Sequence, residues 1–140
     1  MIIMVMALIC HATTAQKISA DKVPAAAVNA FKAKFPDASN VKWEIEKKDV
    51  YEVNFTAGKV KKAAQFDKSG VWQKTETEIE VSQLPKTVSE AFAKSYPGYK
   101  IKEVEQVSSS TYTEAYELEI VKGAEKKEVL LSPDGKLIKE

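Results

Sequence analysis

One proline-bracketed segment occurs twice in this chain, and the duplication constrains the fold more than any other feature of the sequence. The first copy covers residues 23–36 and the second covers residues 84–97, which lie 61 positions later. Five pairs of residues match: Pro24 with Pro85, Ala30 with Ala91, Phe31 with Phe92, Phe35 with Tyr96, and Pro36 with Pro97. A repeated segment predicts a repeated structural unit, so whatever the first copy forms should recur in the second half.

Each copy has the spacing of a short amphipathic helix. Apolar residues recur every three or four positions and form one stripe; they are Val28, Phe31 and Phe35 in the first copy and Val88, Phe92 and Tyr96 in the second. The leading prolines suit a first helical turn, and the trailing prolines end the helix. Because a helix of about three turns is marginal alone in water, each stripe needs an apolar surface to pack against.

The residues after the first helix alternate in polarity, as they do in half-buried antiparallel strands. Two predicted strands turn their apolar side chains to the core; these are Val41, Trp43 and Ile45, followed by Tyr51, Val53 and Phe55. A third strand is predicted over Val60–Asp67 and a fourth over 71–81, with a turn at Gly70 between them.

The second half repeats this order with one insertion. The offset between matching residues grows from 61 to 65, so that Leu131 matches Phe66 and Gly135 matches Gly70. Four residues are therefore inserted in the first hairpin, at 108–111, where a loop accepts them at little cost. We predict an α+β fold of two tandem repeats, α-β-β-β-β in residues 16–81 and α-β-β-β in residues 82–140, with helices packed on one face of antiparallel sheets.

The first 15 residues are predicted to be a secretory signal peptide. Residues 1–10 form an apolar run too short to cross a bilayer, and small residues follow it. Cleavage between Ala15 and Gln16 would give a periplasmic or secreted protein without a transmembrane segment in its mature part. No Lys or Arg precedes the apolar run, so either the true start lies elsewhere or the signal is weak. Cys10 could indicate a lipoprotein, but Ile9 stands where that processing needs a small side chain.

Removal of this leader takes away the only cysteine, Cys10, and the only histidine, His11. A mature chain without them has no disulfide. It also lacks thiol nucleophiles, Ser-His-Asp triads, zinc ligated by Cys or His, and haem ligated by His. We therefore assign no catalytic, cofactor-binding or metal-binding residue and expect no cofactor.

The basic residues argue against a nucleic-acid partner. The formal net charge is +1, and all 21 basic residues are lysine. Arginine supplies the planar fork that recognises phosphate and guanine, and here it is absent without any excess of positive charge.

Three glutamates alternate along the fourth predicted strand: Glu76, Glu78 and Glu80. Paired carboxylates can act as general acid and base when their environments separate their pKa values. Because glutamate is rarely buried without a partner, the pattern predicts a solvent-exposed face that could bind a divalent cation weakly. Asp67 and Asp134 lie near glycines but lack the alternate ligands of a calcium loop, so turns are predicted there.

The two tryptophans are the residues most able to anchor a partner. Trp43 shares its side of the first strand with Val41 and Ile45 and is predicted to be buried in the core. Trp72 shares its side of the fourth strand with Lys74, Glu76 and Glu78, which predicts an exposed side chain and makes it the candidate for partner contact. Alternatively, Trp72 takes the place that Leu137 has in the second half and packs under its own helix.

Three short patterns occur in both halves. They are the proline-opened helix that ends on Phe35-Pro36 or Tyr96-Pro97, the Tyr-Glu-Val or Tyr-Glu-Leu that starts at Tyr51 or Tyr116, and the turns Phe66-Asp67-x-x-Gly70 and Pro133-Asp134-Gly135. Together they resemble the PepSY-like proteins, which are related in fold to secreted β-lactamase inhibitor proteins. The resemblance covers residues 18–140. It implies an exported protein that holds or inhibits another protein or a ligand and has no known catalytic residues.

Two functional hypotheses follow, and a structural spacer in the envelope is a third. The first is a noncatalytic binding module whose partner is another protein or peptide of the cell envelope. The second is a small hydrolase or lyase that uses carboxylates with Tyr112 or Tyr99, which the lack of His, Cys and Arg disfavours. Carboxylates converging in a concave site would favour the enzyme, whereas a flat or gently curved polar sheet with an exposed aromatic would favour the binding module.

Overall fold

Eight strands follow one another in chain order in one antiparallel sheet. A computed structural model describes residues 15–139 of the chain. The strands are β1 (Gln16–Ile18), β2 (Ala38–Lys47), β3 (Val50–Ala57), β4 (Val60–Asp67), β5 (Trp72–Glu78), β6 (Lys100–Ser109), β7 (Ala115–Lys122) and β8 (Glu125–Leu131). The helices are α1 (Ala25–Lys34) and α2 (Lys86–Ser95), each preceded by a short 3-10 turn.

The order of elements is the one expected for the α+β class, with α1 before β2 and α2 before β6. Both helices begin directly after a proline and end two residues before one, which reflects the missing N–H and fixed φ of that residue. The structure adds β1, a three-residue strand at the edge of β2. It also joins the strands of both halves into one sheet, because β5 pairs with β6. The predicted signal peptide, with Cys10 and His11, lies outside the described residues.

Phe31 is the centre of the core between α1 and the sheet. Its side chain is 3% exposed, and its ring centroid lies 5.5 Å from that of Trp43 and 5.1 Å from that of Phe55. Both contacts are edge-to-face, and so is a third, to Phe66 at 6.4 Å. Such aromatic pairs add about 0.5–1.5 kcal/mol each beyond the burial of their area. The prediction that Trp43 is buried is confirmed.

The core under α2 has a smaller side chain at its centre. Val88 is fully buried and belongs to a cluster with Leu118 and Ile120. Phe92, the counterpart of Phe31, is only partly buried and stacks on Tyr96 at a centroid distance of 6.0 Å. The two helices therefore contact apolar strand residues in each half but pack differently.

Two glycines bring turns into close contact with the helices. Gly70 has a φ of 83°, and a Cβ placed on it would lie 2.6 Å from the carbonyl oxygen of Ala26 in α1. Gly135 has a φ of 79°, and its Cβ would lie 2.7 Å from the Cβ of Ala91 in α2. Both positions require a residue that accepts positive φ and has no side chain.

Register shifts move two residues off their predicted faces. In β2 a shift between Ser39 and Lys42 leaves Val41 41% exposed, although it was predicted to face the core. In β5, which is shorter than the predicted 71–81, a shift leaves Gln73 unpaired and places Trp72 opposite Phe66 on the helix side of the sheet. An extra residue in one strand reverses the faces of the residues beyond it, and simple alternation does not reveal it.

Candidate functional site

Apolar strand residues pack with α1 in one cluster and with α2 in another. The strand residues that alternate with these are mostly polar, and we call the surface that they form the open face. Of the described residues, those that pack over the open face belong to the β6–β7 loop and the C-terminal tail. Tyr112 and Ile138 cover a small apolar cluster made of Val107, Ala115 and Leu130. The rest of this face carries mostly charged and amide side chains.

A cleft of about 660 Å³ opens on this face between the two halves of the sheet. Its lining comes from several elements: Glu46, Lys47, Gln65, Gln73, Lys74, Ser109, Ser110, Thr111, Tyr112, Ile138 and Lys139. Three of the four residues predicted as an insertion at 108–111, Ser109, Ser110 and Thr111, therefore help to build one wall. The hairpin between β2 and β3, by contrast, turns within two residues.

Hydrogen bonds hold this wall in place. The Ser109 hydroxyl accepts from the backbone N–H groups of Thr111 and Tyr112, at 3.1 and 3.2 Å. The Ser110 N–H donates to the Gln73 carbonyl of β5 at 3.1 Å. The inserted loop is thus hydrogen-bonded internally and to β5 of the other half, and these bonds hold this wall of the cleft in a defined position.

Buried polar groups form the floor near the cleft. Gln65 is 7% exposed and donates to Glu52 over 2.8 Å. Glu76 is 8% exposed and pairs with Lys74 at 2.5 Å. Burial raises the pKa of Glu76 above its ordinary value, against the lowering effect of Lys74.

The prediction of a solvated face for the three alternating glutamates is therefore wrong for Glu76. Glu76 packs beside the largely sheltered Lys74, with which it forms an ion pair, and alternation along the strand does not reveal that covering. Glu78 is partly exposed and pairs with Lys61 at 3.3 Å. Glu80 lies beyond β5, where its backbone N–H donates to the side-chain oxygen of Gln83 at 2.8 Å, at the start of the 3-10 turn Val81–Gln83.

A group of carboxylates lies beside the cleft on β5 to β8, and we call it the acidic patch: Glu76, Glu103, Glu105, Glu117, Glu119 and Glu128. One oxygen each from Glu76, Glu105 and Glu117 lies within 4.8 Å of the others. A hollow of about 140 Å³ is lined by the five members other than Glu76.

Two members of the acidic patch have opposite pKa shifts. Burial, followed by repulsion from Glu76 and Glu117, raises the pKa of Glu105 to about 8. Hydrogen bonds from Lys126 and Lys102 lower the pKa of Glu119. These lysines lie 2.5 and 2.9 Å from the two carboxylate oxygens. At neutral pH, Glu105 is therefore mostly protonated while Glu119 is ionised.

The raised pKa of Glu105 predicts a stability that falls as pH rises. Between pH 4.5 and about 8 the folded protein holds a proton that the unfolded chain has lost, so unfolding releases it and higher pH favours unfolding. Glu105→Gln keeps this position neutral and should reduce the decline. We expect the variant to match wild type near pH 5 and to exceed it at pH 9, as measured by urea unfolding. Glu90→Gln, on the exposed side of α2, is the matched control, and a decline unchanged in Glu105→Gln would contradict the assignment.

Trp72 is partly buried and packs against the core between α1 and the sheet. This arrangement agrees with the alternative prediction, in which Trp72 packs under its own helix and corresponds to Leu137 of the second half. The pairs Phe66–Trp72 and Leu131–Leu137 have the same spacing. Its indole N–H donates to the Thr75 hydroxyl at 2.9 Å, and the Lys34 ammonium lies 4.4 Å from the ring centroid. Trp72 is thus not on the open face.

The remaining candidates do not converge on the acidic patch. Tyr112 lines the cleft, whereas Tyr99 packs near α2 and has Lys122 and Lys127 beside its ring. The Asp67 carboxylate accepts from the N–H groups of Ser69 and Val71, at 2.8 and 3.0 Å, which is the predicted turn chemistry.

Sequence reasoning missed the acidic patch. A signal was present, because Glu103 and Glu105 alternate in one strand and Glu117 and Glu119 in the next. That the two pairs lie side by side follows only from the register of β6 and β7.

Comparisons with known proteins agree with this architecture. The family described as "Putative beta-lactamase-inhibitor-like, PepSY-like" matches residues 11–58 and 49–139. A BLIP-like protein from Bacteroides fragilis is 26% identical, with a TM-score of 0.67 over 81% of this chain and 82% of that one. A DUF2874 family protein from Bacteroides uniformis is 24% identical, with a TM-score of 0.72 over 83% and 86%.

A third similar structure is one of the "putative periplasmic proteins" of Bacteroides eggerthii, at 21% identity and a TM-score of 0.73 over 84% of this chain and 86% of that one. A comparison with curated proteins found no match. Neither ten-residue helix within residues 15–139 has the length and apolar character needed to span a membrane.

Proposed function

Because the chain belongs to the PepSY-like family, we propose that it is an exported, noncatalytic module that binds another protein or peptide of the cell envelope through its open face. The observation that carries the proposal is the cleft, which is uncovered, polar and lined by residues of both halves. A surface that is hollow and rich in hydrogen-bonding groups suits a protruding segment of a partner.

Export is supported by the composition of the leader. The proposed cleavage between Ala15 and Gln16 would leave β1 intact, since β1 begins at Gln16. We further propose that residues 16–81 and 82–140 are two copies of one unit with helices on a common face. The equivalent close contacts of Gly70 with α1 and Gly135 with α2 support this.

Enzyme inhibition is the form of binding that the family description favours. An inhibitor that blocks the active-site entrance of its target can contact the rim of that entrance, and the residues that line the cleft are the ones we propose for this contact. Hydrolysis of a chromogenic cephalosporin by a purified β-lactamase, with and without this protein, tests that form.

A carboxylate-based hydrolase has one observation in its favour, the convergence of Glu76, Glu105 and Glu117. Size argues against it. The hollow beside these groups is about 140 Å³, whereas sites for small-molecule ligands hold about 300–1,000 Å³. The candidate tyrosines also lie elsewhere, so we rank the binding module above the enzyme.

Site-directed photo-crosslinking in the native envelope tests the proposed function. A photoreactive phenylalanine analogue is placed at Gln73 or Thr111 in the cleft, and at Lys32 on exposed α1 as the control. We expect both cleft positions to give the same adduct and Lys32 to give none. Adducts from Lys32 alone would contradict binding through the open face.

Trp72 stays a second candidate for partner contact, at the helix side of the sheet. In the same assay Trp72→Ala should weaken the adduct if the ring touches the partner. We expect a loss of stability instead, since the ring packs on the α1 core. An adduct of unchanged intensity in a folded Trp72→Ala protein would remove Trp72 from the contact surface.

A further inference from the structure

We propose that the outer edge of β8 is a second binding surface, at which an extended peptide segment of a partner adds antiparallel to β8 as a ninth strand. The segment carries a basic residue and, two positions later, an acidic residue. This edge is separate from the cleft, so the inference goes beyond the function proposed above. It depends on a comparison of the two halves, on the direction of the backbone groups in β8, and on the charges of this strand.

The turns that follow β4 and β8 are equivalent. The Asp67 N–H donates to the Val71 carbonyl at 3.0 Å, and the Ser132 N–H donates to the Lys136 carbonyl at 2.8 Å. The two bonds are related by the offset of 65 that relates the two halves. The residues after each turn bridge back to the preceding strand in matching pairs, Phe66–Trp72 and Leu131–Leu137. The chain therefore leaves both turns along the same edge of the preceding strand.

In the first half this edge holds a full strand. β5 runs along β4 as far as Thr77, and one position further Lys61 binds Glu78 at 3.3 Å. Beside β5, Ala63 is 7% exposed, whereas its counterpart in β8, Glu128, is exposed. The pairing of β4 with β5 therefore serves as a template for a strand added at the equivalent edge of β8.

In the second half the described residues form only the start of such a strand. The tail reaches β8 where the Ile138 N–H donates to the Leu130 carbonyl, at 2.8 Å. Within residues 15–139, β8 is the last strand of the sheet, and no strand pairs with its outer edge from Glu125 to Val129. Five residues of a strand span about 17 Å. The edge is therefore long enough to pair with a segment of five residues.

The backbone groups that point to this edge follow from the contact with the tail. In an antiparallel strand, the N–H and C=O groups of alternate residues point to the same side. Because the Leu130 carbonyl faces the tail, the backbone groups of Glu128 and Lys126 also point outward, while those of Lys127 point to β7. Glu128 and Lys126 thus offer two donors and two acceptors. Extended peptides add to sheet edges through such groups, with main-chain bonds giving affinity and side chains giving specificity.

The two ends of the sheet differ in how they resist unwanted strand addition. Natural sheets use very short edge strands or charged side chains for this purpose. The first device is found at the end formed by β1, which has three residues. The second is found in β8, which has seven residues and four charged, exposed ones: Glu125, Lys126, Lys127 and Glu128. Charges of both signs reject an apolar strand and favour one with complementary charges, so this edge is selective.

The charges of β8 define the partner segment. A residue opposite Lys126 takes the place that Glu78 has beside Lys61, and an acidic side chain there would form the same ion pair. Lys126 binds Glu119, but an ammonium group has three donors and can contact a second carboxylate. Opposite Glu128 a basic side chain is complementary. An antiparallel segment passes Glu128 first, which gives the order basic, any residue, acidic.

A second copy of the chain fits this edge less well. A two-fold pairing that fills the edge from Glu125 to Val129 is centred on Lys127. It places the two Lys127 side chains directly opposite each other, and like charges in that arrangement destabilise a sheet. A different chain with complementary charges has no such conflict.

Hydrogen exchange measured by NMR on the full chain tests the inference. The probe is acetyl-Thr-Lys-Thr-Glu-Ile-amide, which is the β5 sequence of residues 75–79 with lysine at its second position. In the free protein the amide protons of Lys126 and Glu128 should exchange fast, whereas that of Lys127 should be protected by β7. At nine-tenths saturation with the probe, exchange at Lys126 and Glu128 should slow about tenfold, because only the unbound tenth is open. Exchange at Lys127 should not change.

N-methylation of the probe separates strand pairing from charge attraction. In the proposed register the N–H groups of its Lys and Glu face β8, while that of its middle Thr faces away. Methyl groups on the Lys and Glu nitrogens should abolish the protection. A methyl group on the middle Thr nitrogen should leave the protection in place.

The variant Glu128→Lys tests the choice of charge. It should weaken binding of the probe about tenfold and strengthen binding of acetyl-Thr-Glu-Thr-Glu-Ile-amide, the unaltered β5 sequence. Glu90→Lys on α2 makes the same change away from β8 and should leave both affinities unchanged. Both glutamates are exposed, so the variants should fold, which a thermal melt checks. Glu128→Gln is the second variant and should weaken binding of the probe without favouring the other peptide.

Four results would overturn the inference. They are a probe that does not bind up to its solubility limit, protection at amides other than those of Lys126 and Glu128, equal weakening by Glu128→Lys and Glu90→Lys, and slow exchange at the two amides that grows with protein concentration. The third would mean diffuse attraction, and the fourth would mean that a second copy pairs with β8. None of them bears on the cleft, which the photo-crosslinking adducts test separately, so the two proposals fail independently.

Discussion

Replacing Phe31 with Ala should lower the free energy of unfolding by about 3–5 kcal/mol, because it leaves a cavity where three aromatic rings meet the helix. Phe31 is 3% exposed, so water has little access to the cavity that the alanine leaves. The ring also makes edge-to-face contacts with Trp43, Phe55 and Phe66, which the alanine loses. Urea unfolding followed by tryptophan fluorescence measures the change.

Phe92→Ala is the matched control in the second half. Phe92 has the same place in its helix but is partly buried and stacks only on Tyr96. Its loss should cost about 2 kcal/mol, because less area is removed from water. Equal effects of Phe31→Ala and Phe92→Ala would contradict the difference between the two cores.

Replacing Gly70 with Ala should have the second-largest effect, about 3 kcal/mol in the free energy of unfolding. Two terms contribute. A non-glycine residue at positive φ costs about 1 kcal/mol or more, and a methyl group 2.6 Å from the Ala26 carbonyl oxygen forces α1 away from the turn, which costs about 1–3 kcal/mol.

Gly58→Ala separates these terms. Gly58 also has positive φ, at 63°, but a Cβ there would meet nothing within 4 Å. It should therefore cost only the backbone term, about 1 kcal/mol. Thermal and urea unfolding of both variants give the comparison, and equal losses would show that the turn after β4 does not press on α1.

Much of the fold could be predicted because local rules act on neighbouring residues. The trailing Pro36 and Pro97 end their helices whatever surrounds them, since a fixed φ and a missing N–H are properties of one residue. The bounds of β4 were predicted correctly as Val60–Asp67 because alternation and turn glycines are visible in the sequence. Val41 and Trp72 were misplaced because each lies at a register shift that the pattern does not mark.

The candidate site was less predictable, because its members come from separate strands. Trp72 was expected on the same side of its strand as Lys74 and Glu76, yet the extra residue Gln73 places it opposite Phe66 on the helix side. Glu76 was expected in solvent, yet it lies in a central strand and is 8% exposed. The cleft needs an inserted loop, a floor from β4 and β5, and the C-terminal tail, which are far apart in the chain.

The sequence by itself determined where both helices and most of the strands form, since periodicity, prolines and turn glycines act over a few residues. Only the tertiary structure decided which carboxylates become neighbours and which are buried, because strand register sets distances between residues far apart in sequence. Glu105 shows the difference: nothing in the sequence marks its carboxyl group, and burial, followed by repulsion from Glu76 and Glu117, raises its pKa to about 8. Repulsion and desolvation depend on distance in space, which the order of residues does not contain.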